Sequence, residues 1–320
     1  MNNTSFCPLD HFGSLALSGQ DARAFLQGQV TCDVDQVSST QVQTGAYCTP
    51  KGNVVANFEL LEQQDNLLMH MPMSMVATVH KALAKYIVFS KAELVDVSSQ
   101  WTRFAVWGQA AAACVAQLAP APSVRHQASA LADYTDGLVW ASNTAANEFI
   151  VYCRQQDAAK ITTLLQTQAQ LADQEQWQAV QISQGTAYVT PEISDSYVPQ
   201  MLNLQATGAI NFNKGCYTGQ EIVARMQYLG KLKRHLFIGQ VTSSQALEIG
   251  QQIDASKRKN VGRIVSCAHT GDSTYAFTAV INCTEAVEGQ LHLHEQEDAS
   301  ITIMPLPYEI DPQVFERIKL

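Results

Sequence analysis

The apolar residues of this chain change their spacing near residue 235, and this change limits the folds that the chain can adopt. From His235 onward the helical repeat disappears, and short alternating segments follow one another between turns. Alternation is typical of β-strands, because successive side chains of a strand point to opposite faces of the sheet. The segments cover residues 236–241, 260–267, 274–282, 290–294 and 301–304. We therefore predict a small C-terminal β-barrel over residues 231–320, with a boundary near residues 230–234.

The chain before this boundary alternates between strand and helix patterns. Val54–Leu61 and Leu67–Met71 predict a hairpin around the polar turn 62–66, and Met73–Tyr86 has apolar residues at helical spacing. Further helices are expected over 109–118 and 157–172, and further strands over 93–97, 103–107, 137–141 and 148–153. The order predicts an α+β fold over residues 1–230, built as two interleaved domains of antiparallel sheets and helices. An internal duplication stays open, since the two rounds agree in element order only.

Composition and charge limit the partners that this chain can have. With 320 residues, 46% apolar and 15% charged, the chain is long and apolar enough for more than one compact unit. A formal net charge of −9 opposes long-range attraction to nucleic acid, so such binding needs a local basic patch. The candidates are Lys231, Lys233, Arg234, His235, Lys257, Arg258 and Lys259. No secretory or membrane-spanning pattern is found, so the cytoplasm is the expected compartment and no membrane contact is expected.

The sequence lacks the common motifs of metal sites and of several enzyme classes. Its eight cysteines are scattered without a C-x-x-C pair, so no metal site is expected and most cysteines should be reduced and buried. It contains no H-E-x-x-H, no G-x-S-x-G and no G-x-x-x-x-G-K-[ST] motif. Hydrolase and nucleotide triphosphatase functions are therefore not supported.

One run, Lys214–Glu221, predicts the start of a helix. Thr218 and Glu221 fit a capping box, in which each side chain accepts a hydrogen bond from a backbone N–H of the first turn. We expect this helix to reach about Leu229, and Gly230 to end it in the left-handed conformation.

Cys216 then lies two residues before the predicted helix cap. The positive end of the helix and Lys214 both favour a thiolate there, and Gly215 and Gly219 leave the sulfur open to approach. This makes Cys216 the expected reactive cysteine. The alternative is that the run only caps a helix and that Cys216 packs in a turn.

The run K-G-C-Y-T-G-Q-E resembles the signature of the YgfZ family at eight contiguous positions. Other stretches that agree with this family are residues 27–34, 85–91, 199–206 and 305–308. The family is similar to the aminomethyltransferase T-protein of the glycine cleavage system, which implies mixed α/β domains around a central channel that holds tetrahydrofolate. The resemblance also implies a role in assembly or repair of iron–sulfur client enzymes, including radical enzymes that thiolate tRNA.

The resemblance assigns two aromatic residues to folate, Trp177 and Phe12. Phe12 stands where the family has a tryptophan, so a stacking face is kept and the indole N–H is lost. Ser183 stands where relatives have an acid that grips the pterin edge, so this contact does not carry over. The alternative for both aromatic residues is an ordinary place in the core.

Three functions follow as hypotheses. The first is a folate-binding accessory factor for iron–sulfur enzymes, and thereby for tRNA modification, in which Cys216 and Lys214 act. The second is a one-carbon transferase like the T-protein, but residues 47–53 supply no carboxylate for it. The third is a direct tRNA-binding protein that uses the basic runs, for which we expect weak or no binding. The residues favour an accessory factor over a self-standing catalyst.

Overall fold

The chain forms two compact units, and each takes residues from two parts of the sequence. The first unit contains the chain up to Gly45 together with Phe58–Gln174, and the second contains Ala46–Asn57 together with the chain from Glu175 onward. The computed structural model describes residues 4–134, 136–143, 145 and 147–311, so the outer ends of the predicted domains, 1–3 and 312–320, lie outside it. The predicted division into residues 1–230 and 231–320 stays a prediction.

The strands before residue 172 form two sheets. They are β1 (Thr4–Pro8), β2 (Phe12–Ser18), β3 (Gln43–Cys48), β4 (Val54–Gln63), β5 (Asn66–Pro72), β6 (Glu93–Asp96), β7 (Trp101–Gly108), β8 (Ala128–Ala130), β9 (Gly137–Asn143), β10 (Glu148–Arg154) and β11 (Gln170–Leu171). One sheet has the order β11, β1, β7, β10, β9, β8, and the other has the order β3, β4, β5, β2, β6. The β1–β11 pair is parallel, whereas β1–β7, β7–β10 and β9–β10 are antiparallel.

The predicted hairpin is confirmed as β4 and β5, with a tighter turn than expected. Gln63 pairs with Asn66, so the turn consists of Gln64 and Asp65 alone. Their φ angles are 49° and 63°. Positive φ at both central residues matches the twist of the flanking strands, which lets the strands extend into the polar stretch 62–66.

The described residues form seven α-helices, of which the sequence predicted four. They are α1 (Ala22–Gln27), α2 (Met73–Ile87), α3 (Ala111–Val115), α4 (Ala158–Leu165), α5 (Gln174–Ser183), α6 (Gln220–Leu229) and α7 (Cys283–Glu288). Helix α2 agrees with its prediction within one residue, but α3 and α4 are shorter than predicted. Helix α4 ends early because Gln170 and Leu171 pair with β1 as a strand. Within the described residues, no helix is long and apolar enough to cross a membrane.

The predicted C-terminal barrel is confirmed. Its strands are β12 (Arg234–Thr242), β13 (Gln252–Ala255), β14 (Arg258–Gly271), β15 (Thr274–Asn282), β16 (Leu291–Leu293) and β17 (Gln296–Met304). They close in the order β12, β15, β14, β13, β16, β17. Inward-facing residues such as Val261, Ile264 and Phe277 are fully buried and form its core. The mixed sheets and helices of the rest of the chain confirm the predicted α+β class.

A buried ion pair lies in the core of the first unit. Arg103 Nη1 is 2.7 Å from Glu59 Oε2, and these side chains are only 2% and 7% exposed. The Arg103 guanidinium also lies 4.5 Å from the ring centroid of Phe12 and 5.5 Å from that of Trp140. Because the charge is removed from water, its partner must remain in place.

We expect Arg103→Met to lower the free energy of unfolding by about 3–5 kcal/mol, because it leaves Glu59 buried without its counter-charge. Urea unfolding measures this loss. The matched control is Arg258→Met, since Arg258 is 57% exposed and 4.0 Å from Glu285, and it should cost about 0–1 kcal/mol. Equal losses for the two variants would contradict the structural role assigned to the buried pair.

Candidate functional site

Cys216 lies in an exposed loop directly before α6. All eight cysteines belong to the described part of the chain, and Cys216 is the exposed one. The buried cysteines are Cys7, Cys32, Cys48, Cys114 and Cys153, and the half-buried ones are Cys267 and Cys283. The prediction that most cysteines are buried is therefore confirmed, and Cys216 is the exception.

Burial raises the pKa of six of the seven other thiols. It raises the pKa of Cys48 to about 12, and it does the same for Cys7 and Cys153. It raises the pKa of Cys114 and of Cys267 to about 11. Since the thiolate is the nucleophile and the metal ligand, these cysteines are inert at neutral pH. Cys216 differs from these cysteines because its side chain is exposed.

The residues beside Cys216 fix its loop on one side and leave it open on the other. Tyr217 is 7% exposed, and the Lys214 ammonium lies 5.4 Å from the centroid of its ring. Burial raises the pKa of Tyr217, and the nearby Cys48 adds to this effect. A Cβ atom at Gly215 would meet nothing within 4 Å. The loop thus presents Lys214 and Cys216 together on an anchored tyrosine.

The predicted capping box is wrong. Helix α6 begins at Gln220, and its N-cap is Gly219 with a φ of 83°, not Thr218 as predicted. A Cβ atom at Gly219 would lie 2.5 Å from the carbonyl oxygen of Thr49, so the close approach of this turn selects glycine. Gly230 follows Leu229 as predicted, but it is extended with a φ of −79° and not left-handed.

The turn that contacts Gly219 belongs to the stretch 47–53, in which the sequence offered no acid. Gly52 has a φ of 78°, and a Cβ atom there would lie 2.8 Å from the Ile222 side chain of α6. Thr49 Oγ donates to the Asp195 carboxylate at 3.3 Å, and Asn53 donates to the Asp195 carbonyl at 3.1 Å. Asp195 is exposed and stabilises the turn at Thr49. This turn contacts the start of α6 through Gly219 and Ile222.

Two buried side-chain amides bond to backbone carbonyls of α6 and β12. The Gln200 side chain donates to the Val223 carbonyl at 2.8 Å. The Asn203 side chain donates to the Leu236 carbonyl at 2.9 Å and to the Tyr308 hydroxyl at 3.1 Å. The Tyr308 hydroxyl donates to the Gly185 carbonyl at 3.0 Å. The stretches 199–206 and 305–308, which resemble the family, thus meet in one network.

Trp177 lies on α5 in the second unit and is 1% exposed. Ser183, at the end of the same helix, is exposed and donates to the Val180 carbonyl at 2.7 Å. The position where the resemblance implies an acid therefore holds a hydroxyl that is bonded to its own helix.

Phe12 lies at the start of β2 in the first unit and is 7% exposed. Its ring is stacked on His70 with centroids 5.4 Å apart, in addition to its contact with Arg103. Ser14 Oγ is 2.8 Å from His70 Nδ1 and 3.0 Å from the Tyr152 hydroxyl. Burial and the Arg103 charge together hold the pKa of His70 well below its usual range. The ring of Phe12 is thus part of a packed, neutral histidine cluster.

Sequence reasoning missed Gln181, which also lies on α5. Its side chain is 6% exposed, and its Oε1 atom has no hydrogen-bond partner among the described residues. A glutamine in a helix with many polar neighbours gives no local signal of burial. Its spacing of four residues from Trp177 is the one signal that the sequence contains, because such residues share a helix face.

The two basic runs are brought together in the barrel. Arg234 on β12 donates to the Asn260 carbonyl on β14 at 3.3 Å, next to Lys259. Lys257 and Arg258 line a cleft of about 640 Å³ that also contains carboxylates. These carboxylates belong to Asp254, Glu295 and Glu297. This surface therefore has mixed charge. Within the part of the chain described, no three His, Cys, Asp or Glu side chains are grouped so that they could hold a metal ion.

Comparisons with known proteins agree with this architecture. Residues 1–143 match the family model described as the GCVT N-terminal domain. The chain is 33% identical to the tRNA-modifying protein YgfZ of Colwellia psychrerythraea, with 96% of this chain and 94% of that protein aligned. It is 30% identical to the tRNA-modifying protein YgfZ of Yersinia enterocolitica, with 94% and 92% aligned.

A solved structure confirms the predicted T-protein-like fold. The glycine cleavage system aminomethyltransferase T from Bartonella henselae superposes with a TM-score of 0.73 at 12% identity. The match covers 95% of this chain and 86% of that protein.

We expect Gly219→Ala to lower the free energy of unfolding by about 1–3 kcal/mol, because it forces a side chain into a left-handed position against the Thr49 carbonyl. Gly215→Ala is the matched control in the same loop and should change it by less than about 0.5 kcal/mol, because it enters open space. Thermal and urea unfolding measure both. If the two variants are equally stable, the turn at Thr49 does not fix the loop.

Proposed function

Because the chain belongs to the YgfZ family of tRNA-modifying proteins, we propose that it is a folate-binding accessory factor that supports the assembly or repair of iron–sulfur enzymes. Through enzymes that thiolate tRNA, this role supports tRNA modification. The proposed role implies that the protein is cytoplasmic, in the same compartment as its client enzymes. Its functional thiol is Cys216, with Lys214 beside it.

The observation that carries this proposal is the exposure of Cys216 in an anchored loop. A thiol that serves a client protein must be reached by that protein, and burial withdraws the other cysteines from this task. The loop is fixed by Tyr217 and by the contact between Gly219 and Thr49, so the sulfur is held in one place. Lys214 lies in the same loop, with its ammonium 5.4 Å from the centroid of the Tyr217 ring.

The folate part of the proposal rests on Trp177 and Phe12, which supply aromatic faces for the flat rings of tetrahydrofolate. Both rings are buried, so stacking on folate requires the groups that cover them to move. Ser183 supplies no carboxylate, but Gln181 offers a buried acceptor on the same helix as Trp177. These residues fit a neutral mode of binding, in which tetrahydrofolate supplies the one-carbon carrier chemistry and the protein holds its rings.

A transferase like the T-protein and a direct tRNA binder are less well supported. The carboxylate that contacts residues 47–53 in the printed hydrogen bonds of the described residues is that of Asp195, which is exposed and supports a turn. The basic surface of the barrel is lined by carboxylates as well as by lysine and arginine.

In a strain that lacks the protein, we expect the wild-type protein to restore the level of thiolated nucleosides in tRNA. The variants Cys216→Ser and Lys214→Ala should not restore it. Cys216→Ser should fall to the level of the empty strain, because an alcohol does not replace a thiolate. Cys283→Ser, at a half-buried cysteine of the barrel unit, is the matched control and should restore fully. Full restoration by Cys216→Ser would show that the loop is only structural.

We expect tetrahydrofolate to bind the purified protein and to quench its tryptophan fluorescence. Trp177→Ala should weaken binding by about tenfold to a hundredfold, as expected for a lost stacking contact of about 1–3 kcal/mol. Calorimetry measures the same constant independently. Trp107→Ala, at a partly exposed tryptophan in the first unit, serves as the control. Absence of binding by wild type would remove the folate part of this proposal.

A further inference from the structure

Gln181 carries a side-chain oxygen that the fold leaves unsatisfied. Its carbonyl accepts hydrogen bonds from Gln184 N at 3.2 Å and from Thr186 N at 3.0 Å, so its backbone is well bonded. Its side-chain Oε1 is buried and has no partner among the described residues. Folded proteins pair nearly all of their buried polar atoms, because each unpaired one costs stability. Oε1 of Gln181 is one of several such atoms among the described residues, so its position must supply a reason to expect a ligand.

The place of Gln181 on α5 supplies one. Ala179 and Ile182 pack against the barrel residues Ile238, Ala268 and Ala276. At about 100° per residue, Gln181 lies roughly 40° from Trp177 around the helix axis, and both lie about 100° or more from Ile182. Trp177 and Gln181 therefore share a second face of α5, and this face is also buried. It combines a flat aromatic ring with an acceptor that has no donor.

We propose that Oε1 of Gln181 accepts a hydrogen bond from the N–H edge of a reduced pterin whose ring stacks on Trp177. This inference rests on the proposed folate site and assigns its polar contact. A pterin presents a ring N–H next to an exocyclic amino group, and a glutamine oxygen has two lone pairs to receive such donors. The pterin would thereby supply the partner that Oε1 lacks.

The same assignment explains how the chain manages without an acid at Ser183. Ser183 is exposed and its hydroxyl is bonded to Val180, so it does not reach a ligand on the other face. Gln181 takes over the acceptor role with a neutral group. Neutral hydrogen bonds are weaker than those to a carboxylate, so the site holds pterin less tightly than a carboxylate would.

The test compares Gln181→Leu and Gln181→Met with Gln178→Leu, a control at a half-buried glutamine of the same helix. Tetrahydrofolate binding is measured by calorimetry, and unfolding by urea without ligand. Both Gln181 variants should weaken binding by about tenfold, as for one lost hydrogen bond in a buried site. Without ligand they should be as stable as wild type or more stable, because they remove an unsatisfied polar atom. Gln178→Leu should leave binding unchanged.

A second ligand isolates the contact. A tetrahydrofolate analogue with a methyl group in place of the 2-amino group lacks one donor of the pterin edge. Wild type should prefer tetrahydrofolate to this analogue, and Gln181→Met should bind the two alike. Loss of the preference in Gln181→Met would not follow from general damage to the fold.

Three results would overturn the inference. If wild type binds tetrahydrofolate and the Gln181 variants bind equally well, Gln181 is not the acceptor and the folate site stands. If the variants are less stable without ligand, the oxygen serves the fold through an internal water. If wild type binds no tetrahydrofolate, the inference fails together with the folate part of the proposed function.

Discussion

The buried guanidinium of Arg103 organises the first unit. It pairs with Glu59 in the core. Burial is the main cause that lowers the pKa values of His11 and His70, and the Arg103 charge is the second cause. Phe12 packs between this charge and the neutral His70 ring. The aromatic face at Phe12 thus has a structural task in holding a desolvated cation, whether or not it also meets a ligand. A ligand that displaced Phe12 from the Arg103 guanidinium would have to replace this cation–π contact with one of its own.

In the second unit, the loop that carries Cys216 is fixed by backbone contacts while the sulfur stays exposed to solvent. Gly219 and Gly52 let α6 and the turn at Thr49 approach more closely than any side chain permits. One apolar cluster includes both Cys48 and Val223 of α6. The core that buries the Cys48 thiol therefore also supports the helix that follows Cys216. Cys216 therefore differs from Cys48 in exposure, although the two belong to neighbouring parts of one unit.

Periodicity and resemblance predicted the larger features of this protein. The barrel, the β4–β5 hairpin and α2 follow from local spacing, and the family assignment from K-G-C-Y-T-G-Q-E is confirmed by relatives aligned over nearly the whole chain. The capping box failed because a carbonyl at Thr49, about 170 residues away in sequence, selects the conformation of Gly219. Gln181 was missed because its burial is a tertiary property that its polar neighbours conceal. Local rules fail where distant segments decide the conformation.

The ends of the two open sheets have a consequence for self-association. An open sheet edge offers unpaired backbone groups to a second chain, and long, flat edges invite aggregation. Here β11 has two residues and β8 has three, while β6 has four and carries Glu93 and Asp96. The remaining edge strand, β3, is buried over its last four residues, and the barrel has no edge because it closes on itself. Short, charged and covered edges give a crowded cell few places where strands of two copies can join, although nearly half of the sequence is apolar.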